Sequence, residues 1–289
     1  MRAWLVAARP PTLLASIAPV LAGSGLAAGD GVFRWDVFAV TLVTAVLLNV
    51  AVNFANDASD AHRGADSPAR IGPPRAVATG LLTSRQVWTG TWVVLALAVA
   101  GGVYLTAVAG WVVVAIGATA IVAALAYTGG PWPYGYRGLG EVFVFVYFGL
   151  AAVVGSRYVH DSTAPAAAWW LAIPIGFLVT AILVANNVRD IDTDRASGKR
   201  TLAVLLGRGA TRALFAGLVA GAFALLAVTA AFDLVPRPTL VALAAVPIAV
   251  RPMRVVLAEE GGPVLIAALK GTALLHFAFG ALVGLGAAL

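Results

Sequence analysis

Apolar residues run along this chain in long blocks broken by short polar knots. A helix needs about 20 apolar residues to cross a hydrocarbon core. Nine runs fit that length, at 12–28, 37–56, 87–106, 109–127, 140–157, 168–188, 210–231, 239–256 and 266–288. The third and fourth are divided only around "TAVAG", and the eighth contains Pro247 and Arg251. The runs are too long for barrel strands, and open sheet edges go unsatisfied in lipid, so the pattern predicts an all-α integral membrane bundle of nine transmembrane helices. The opening "MRAWLVAARPPTLLASIAPVLAG" has the basic start of a signal peptide but no convincing A-x-A-like end, and it reads as the first span.

Composition agrees with the periodicity. Hydrophobic residues fill 61% of the 289 positions and charged residues 11%, against roughly 25% charged in a soluble domain. The absence of Cys excludes disulfides, thiolate metal sites and a Cys nucleophile. With the N-terminus in the cytoplasm and the C-terminus outside, 16 of the 19 Lys and Arg sort to cytoplasmic segments, leaving only Arg34, Arg157 and Arg237 outside. That is the positive-inside asymmetry of a multi-pass cell-membrane protein. The net charge of +6 therefore reflects topology and calls for no nucleic-acid partner.

Two knots stand out, "NFANDASDAHRGADSPARIGPPRAV" (53–77) and "NNVRDIDTDRASGKR" (186–200), the second followed by "TLAVLLG" to residue 207. An even number of crossings separates Asp57 from Asp190, which places both at the cytoplasmic face. Each knot sets Asn and Asp on a helix end, then Gly and basic residues, then a short apolar run. The echo suggests a single domain, 1–289, of two quasi-repeated halves. Asn49, Asn53, Asn56 and Asp60 share one helical face, with Asp57 at its edge; Asn187, Asp190 and Asp194 share another. Polar groups inside an apolar helix face the bundle interior or a water-filled cavity. Two carboxylate-bearing faces aimed at one cavity make a hard oxygen-ligand cluster suited to Mg²⁺.

Interleaved Arg63, Arg70, Arg75, Arg195 and Lys199 would compete with a bare cation. They suit a metal–polyphosphate, in which the metal bridges Asp to phosphate and Arg and Lys meet the outer oxygens. At a lipid–water boundary the guest is an amphiphile, with a diphosphate in the mouth and a hydrocarbon tail between helices. No Walker motif or strand-following G-x-G-x-x-G points to a nucleotide.

The paired stretches resemble the Asp-rich motifs of the UbiA superfamily of intramembrane prenyltransferases, a nine-helix family. Its N-D-x-x-D motif with a further Asp is matched by Asn56, Asp57, Asp60 and Asp66, and its D-x-x-x-D motif by Asp190 and Asp194. The wording is most similar to the menaquinone branch, through "ARPPTL" at Ala8, the two knots, and "YTGGPWPYGYRGLGE" from Tyr127 to Glu141. Two departures are Asp66, six residues beyond Asp60, and Ala58, where that branch usually carries Tyr.

The resemblance implies transfer of a polyprenyl group from its diphosphate to 1,4-dihydroxy-2-naphthoate, with loss of CO₂ and diphosphate. Asp57, Asp60, Asp190 and Asp194 would be catalytic, binding Mg²⁺ together with Asn56 and Asp66. Arg63, Arg70, Lys199, Tyr127 and Tyr134 would hold diphosphate, with Tyr136 a further donor. Asn53, Asn187, Phe145 and Phe148 would line the substrate pocket. A superfamily member with another aromatic or lipid acceptor is one alternative. A transporter of an anionic lipid or metabolite is another, but it would need polar residues towards the outer face, where this chain has few.

Overall fold

The computed structural model describes residues 2–64, 72, 74–258 and 264–289. Among these every regular element is helical. The order is α1 (Arg2–Ala8), a 3₁₀ turn (Pro10–Thr12), α2 (Leu14–Gly29), α3 (Trp35–His62), α4 (Ser84–Ala109), α5 (Val112–Ala126) and a 3₁₀ turn (Tyr134–Arg137). There follow α6 (Gly140–Val144), a π-helical segment (Phe145–Ala151) and α7 (Ala152–Tyr158), continuous as Gly140–Tyr158. The chain ends with α8 (Ala166–Ala196), α9 (Leu202–Ala231), a 3₁₀ stretch (Arg237–Ala245), α10 (Val246–Ala258) and α11 (Val264–Ala287).

Each predicted run coincides with helix, with two local differences. The eighth run begins as 3₁₀ helix before α10, and the fourth forms an α5 of only 15 residues. Among the described residues seven helices are long and apolar enough to cross a membrane. An eighth is counted if α1 and its 3₁₀ turn join α2 across a 50° bend. The chain is therefore a multi-pass membrane protein.

Sequence explains where the helices stop, bend and approach. Thr83 and Gln86 close a reciprocal capping box at the start of α4, satisfying two N–H groups that the first turn leaves over. Pro19 removes the N–H that would bond Ala15 O, and His276 Nε2 of α11 approaches that carbonyl at 3.4 Å. α2 and α11 cross at Gly25 and Gly284, where a Cβ on Gly25 would sit 2.1 Å from Gly284 O. Gly149 and Gly176 make the same close approach between the π segment and α8. Lipid tails are as apolar as Leu, so such close packing of small residues supplies much of the association between helices.

The largest core joins α8, the most deeply buried long helix, to α2, α9, α10 and α11. A smaller one, with Ala7, Phe54, Ala58, Ala76, Leu82 and Val87, seats the N-terminal helix and the 75–82 loop on the ends of α3 and α4. These two cores fix the C-terminal ends of α3 and α8, which carry the two knots.

Candidate active site

The whole polar row of α3 lines one cavity, and its first two members also brace the N-terminal corner. Asn49 Nδ2 donates to Thr12 O at 3.0 Å and to Ser16 Oγ at 3.3 Å. Asn53 Nδ2 donates to Ala8 O and Thr12 Oγ1, both at 2.9 Å. These amides pin the corner at Arg9–Thr12, where Arg9 adopts a left-handed φ of 51° ahead of two prolines. One and two turns further on, Asn56 and Asp60 face the cavity, Asn56 Oδ1 accepting from Thr128 Oγ1 at 2.9 Å.

Asp57 points elsewhere. Its carboxylate accepts from the Ala76 and Val77 N–H groups at 2.8 and 3.1 Å, is fully buried, and takes no part in the cavity wall. The predicted metal-ligand role is corrected: Asp57 anchors the loop that delivers Arg75. Arg75 then reaches Asp60 Oδ2 at 2.7 Å. Lys199 comes to the same oxygen at 3.3 Å, and the Tyr136 hydroxyl donates to Oδ1 at 2.7 Å. Lys199 also lies over the Tyr136 ring, 4.7 Å from its centroid. Burial, and then the Asp60 charge, push the Tyr136 phenol up from its ordinary value, so it remains a hydrogen-bond donor.

The end of α8 supplies the opposite wall. Asn187, Asp190 and Asp194 face the cavity, as their spacing predicts. Arg189 holds Asp190 through Nε and Nη2 at 2.7 and 2.6 Å and also bonds Asn186. Asp194 O accepts from Lys199 N at 2.8 Å, and Arg200 N donates to Tyr136 O at 3.0 Å. These bonds bind the second knot to the 134–137 turn. Asp194 lies within electrostatic range of Asp60, Asp190 and Lys199.

Among the described residues no three acidic or His side chains already converge as a metal cluster. The donor set nevertheless fits Mg²⁺. Asp60, Asp190, Asp194 and Asn56 present hard oxygens to one cavity, and Mg²⁺ characteristically takes one or two carboxylates, completed by water and phosphate oxygens.

The cavity has a volume of about 650 Å³ and runs the length of the bundle. From the carboxylates it continues between apolar faces of α3, α4, α5 and α7, past Thr41, Val99, Gly102, Gly117 and Tyr158. Phe143, Tyr147 and Phe148 line it, as do Tyr127 and Tyr134. Phe145 does not: it packs on Gly176 and Phe177. A π segment starts at Phe145, and over it the spacing that would set Phe145 and Phe148 on one α-helical face does not hold. Tyr134 contributes its ring, stacked on Phe143 at 3.9 Å, while its hydroxyl is committed to Ala123 O at 2.9 Å.

Arg63 also departs from expectation. Its guanidinium donates to Thr128 O and Gly130 O, outside the cavity wall, and so braces the 128–130 turn. Asp66 and Arg70 lie outside the described residues. Residues missing from the predicted set are Thr128 and Glu141, while Arg75, expected only among the interleaved cations, proves to pair with Asp60. Glu141 was visible only as the one acid opening the fifth run.

The profile of the UbiA prenyltransferase family matches residues 16–270. The 1,4-dihydroxy-2-naphthoate octaprenyltransferase of Mycobacterium tuberculosis is 42% identical over 271 residues, covering 94% of this chain and 91% of that protein. The Escherichia coli protein of the same name is 37% identical, covering 96% and 94%. Among solved structures, a UbiA homolog from Archaeoglobus fulgidus bound to DMAPP and Mg²⁺ superposes with a TM-score of 0.67 at 17% identity, covering 97% of this chain and 98% of that one.

Proposed function

The chain belongs to the UbiA prenyltransferase family, and from that membership we propose that it transfers a polyprenyl group from polyprenyl diphosphate to 1,4-dihydroxy-2-naphthoate. CO₂ and diphosphate leave, and the product is demethylmenaquinol, in menaquinone biosynthesis. The acceptor follows from relatives named for that activity that span nearly the full chain. The observation that carries the chemistry is a single cavity, with carboxylates and cations at one end and an apolar channel from there to the other.

In the reaction the allylic C–O bond to diphosphate breaks, the allylic carbon bonds to the ring, and the ring carboxylate leaves as CO₂. Asp60, Asp190, Asp194 and Asn56 would hold Mg²⁺. Bound there, the metal neutralises charge on the departing diphosphate. Lys199 and Arg75 turn from Asp60 to phosphate oxygens, and the Tyr136 hydroxyl donates beside them. The channel receives the isoprenoid tail. Phe143, Tyr147 and Phe148 exclude water from the allylic cation and offer it aromatic faces. The bent N-terminal pair and the short α5 complete nine crossings. The excess of Lys and Arg near the mouth favours a cytoplasmic site, with the N-terminus on that side and the C-terminus outside. The carboxylates that end α3 and α8 would be the matching sites of two related halves.

The test is product mass from purified protein given Mg²⁺, a polyprenyl diphosphate and a panel of aromatic acceptors. Prenylated, decarboxylated naphthoate is the expected product, lost when the metal is chelated. Turnover of another ring in the panel, with naphthoate inert, overturns the acceptor. Movement of substrate across vesicles without product overturns the enzyme.

A further inference from the structure

Glu141 opens the helix that follows the 134–137 turn, and it is 5% exposed. Asn187 Nδ2 donates to its Oε1 at 2.8 Å, while Oε2 has no partner among the described residues. Gly140, next to Glu141, lies directly under Tyr127, a cavity-lining residue, where a Cβ would meet the Tyr127 hydroxyl oxygen at 3.5 Å. Asn187 does line that cavity, one turn before Asp190 on the same face of α8. A buried carboxylate here has no evident part in holding diphosphate, since its charge repels an anion.

An ionised carboxylate only accepts hydrogen bonds. Asn187 meets it through its amino group, so its Oδ1 turns away. No protein donor among the described residues takes that oxygen, which leaves it open on the cavity side. Diphosphate offers only acceptors and cannot bond it. The ring acceptor offers hydroxyl donors.

On the reading that this site prenylates a hydroxyarene, we propose that Glu141 is a positioning residue for the ring. It holds Asn187 so that Oδ1 receives a ring hydroxyl, fixing which edge of the ring meets the allylic carbon. Donation of Nδ2–H to a carboxylate also polarises the amide, strengthening Oδ1 as an acceptor. The pair then acts on the ring substrate, while Asp60, Lys199 and Arg75 act on the diphosphate.

The test compares kcat/KM for the parent acceptor with that for its mono-methyl ether, in which the hydroxyl donor is gone. The ring used is whichever hydroxyarene the wild type prenylates, so a wrong acceptor identity would appear in the wild type alone. Glu141→Leu should shrink the wild-type preference for the hydroxyl form about five- to tenfold, the worth of one hydrogen bond. Its kcat/KM for the prenyl donor should stay within about twofold. Glu141→Gln, which can still accept from Nδ2, should restore the preference. Asn187→Ala should lose it as Glu141→Leu does, which keeps the test open if the leucine variant folds poorly. A merely structural Glu141 would lower both acceptors equally. The wild-type preference surviving in either Glu141→Leu or Asn187→Ala overturns the proposal. So does a raised Mg²⁺ requirement with unchanged hydroxyl preference, which would assign Oδ1 to a metal-bound water.

Discussion

Two charged clusters sit at opposite ends of the bundle, and they differ in what lies between their charges. Arg34 and Asp60 bracket α3, roughly 39 Å apart at 1.5 Å per residue. At the Arg34 end, Arg157 is buried with its guanidinium shared between Asp30 at 2.7 Å and Asp161 at 2.7 and 3.2 Å. His160 accepts from Arg34 N at 3.1 Å, meets Ser24 Oγ at 3.2 Å and stacks on Phe33. None of these charged groups faces the cavity. At the Asp60 end, Arg75, Lys199 and Tyr136 crowd one carboxylate, and all four side chains line the cavity. The first cluster closes on itself and ties α2 and α3 to α7. The second is held open by the same kinds of bond, so its cations can exchange a carboxylate for a ligand. Buried ion pairs therefore do not mark a site by themselves; ion pairs around a cavity do.

The largest effect should come from the open cluster. Asp60→Asn or Asp190→Asn should lower turnover on the order of a thousandfold, comparable to the loss of a principal electrostatic stabiliser. Tm should fall as well, because Asp60 and Asp190 pair with buried cations, so turnover is measured on the protein that remains folded. Near-wild-type rates at limiting Mg²⁺ would remove these carboxylates from the site.

Arg157→Met should destabilise without the catalytic loss. Removing one member of a buried ion cluster costs about 3–5 kcal/mol. Here about 2–3 kcal/mol is expected, because Asp30 and Asp161 are part-exposed and hydrate once released. The kcat/KM of the protein that survives should stay within about twofold. A catalytic loss without destabilisation would contradict the division drawn between the two ends.

Lys199→Gln separates the diphosphate from the ring. Charge-assisted bonds to a leaving group are each worth roughly 1.5–3 kcal/mol, so donor kcat/KM should fall about tenfold to a hundredfold. Acceptor KM should change little. Equal losses for both substrates would show that Lys199 supports the fold through Asp60 and Tyr136 and does not grip diphosphate.

How much of this was legible depended on the range of the forces involved. The helices were readable because hydropathy acts along the chain, and α5 came out short because Gly110 and the 127–133 turn cut the apolar run. The convergence of α3 and α8 was readable from helical spacing. What individual side chains do there was not. Asn49 and Asn53 bond to a corner 33–45 residues away, and Asp57 to a loop 19–20 residues on. No local period carries such pairings. Phe145 fails for another reason: a π segment shifts the phase within one helix, and composition gives no sign of it.

The smallest effect probes the closed cluster through pH. Burial, and then the Arg157 charge, hold His160 at about 4, well below the ordinary 6.5. Asp161, Arg34 and Asp36 also face it, and its contacts with Arg34 N and Ser24 Oγ fit a neutral ring. In the unfolded chain the ring gains a proton near pH 6.5, whereas in the fold it resists until about 4. Between those values the unfolded state binds more protons, so stability rises with pH and is lost as pH falls from 6.5 towards 4. The expected size is on the order of 1–2 kcal/mol. His160→Gln can still accept from Arg34 N and donate to Ser24, and it does not titrate, so its stability should be flatter across that window. Asp161 is held at about 2 by Arg157. Its own loss falls below pH 3.8, outside the window, and should be the same in both proteins. Identical slopes between pH 4 and 6.5 for wild type and His160→Gln would mean that the ring at this end is solvated and that the cluster is less closed than its distances indicate.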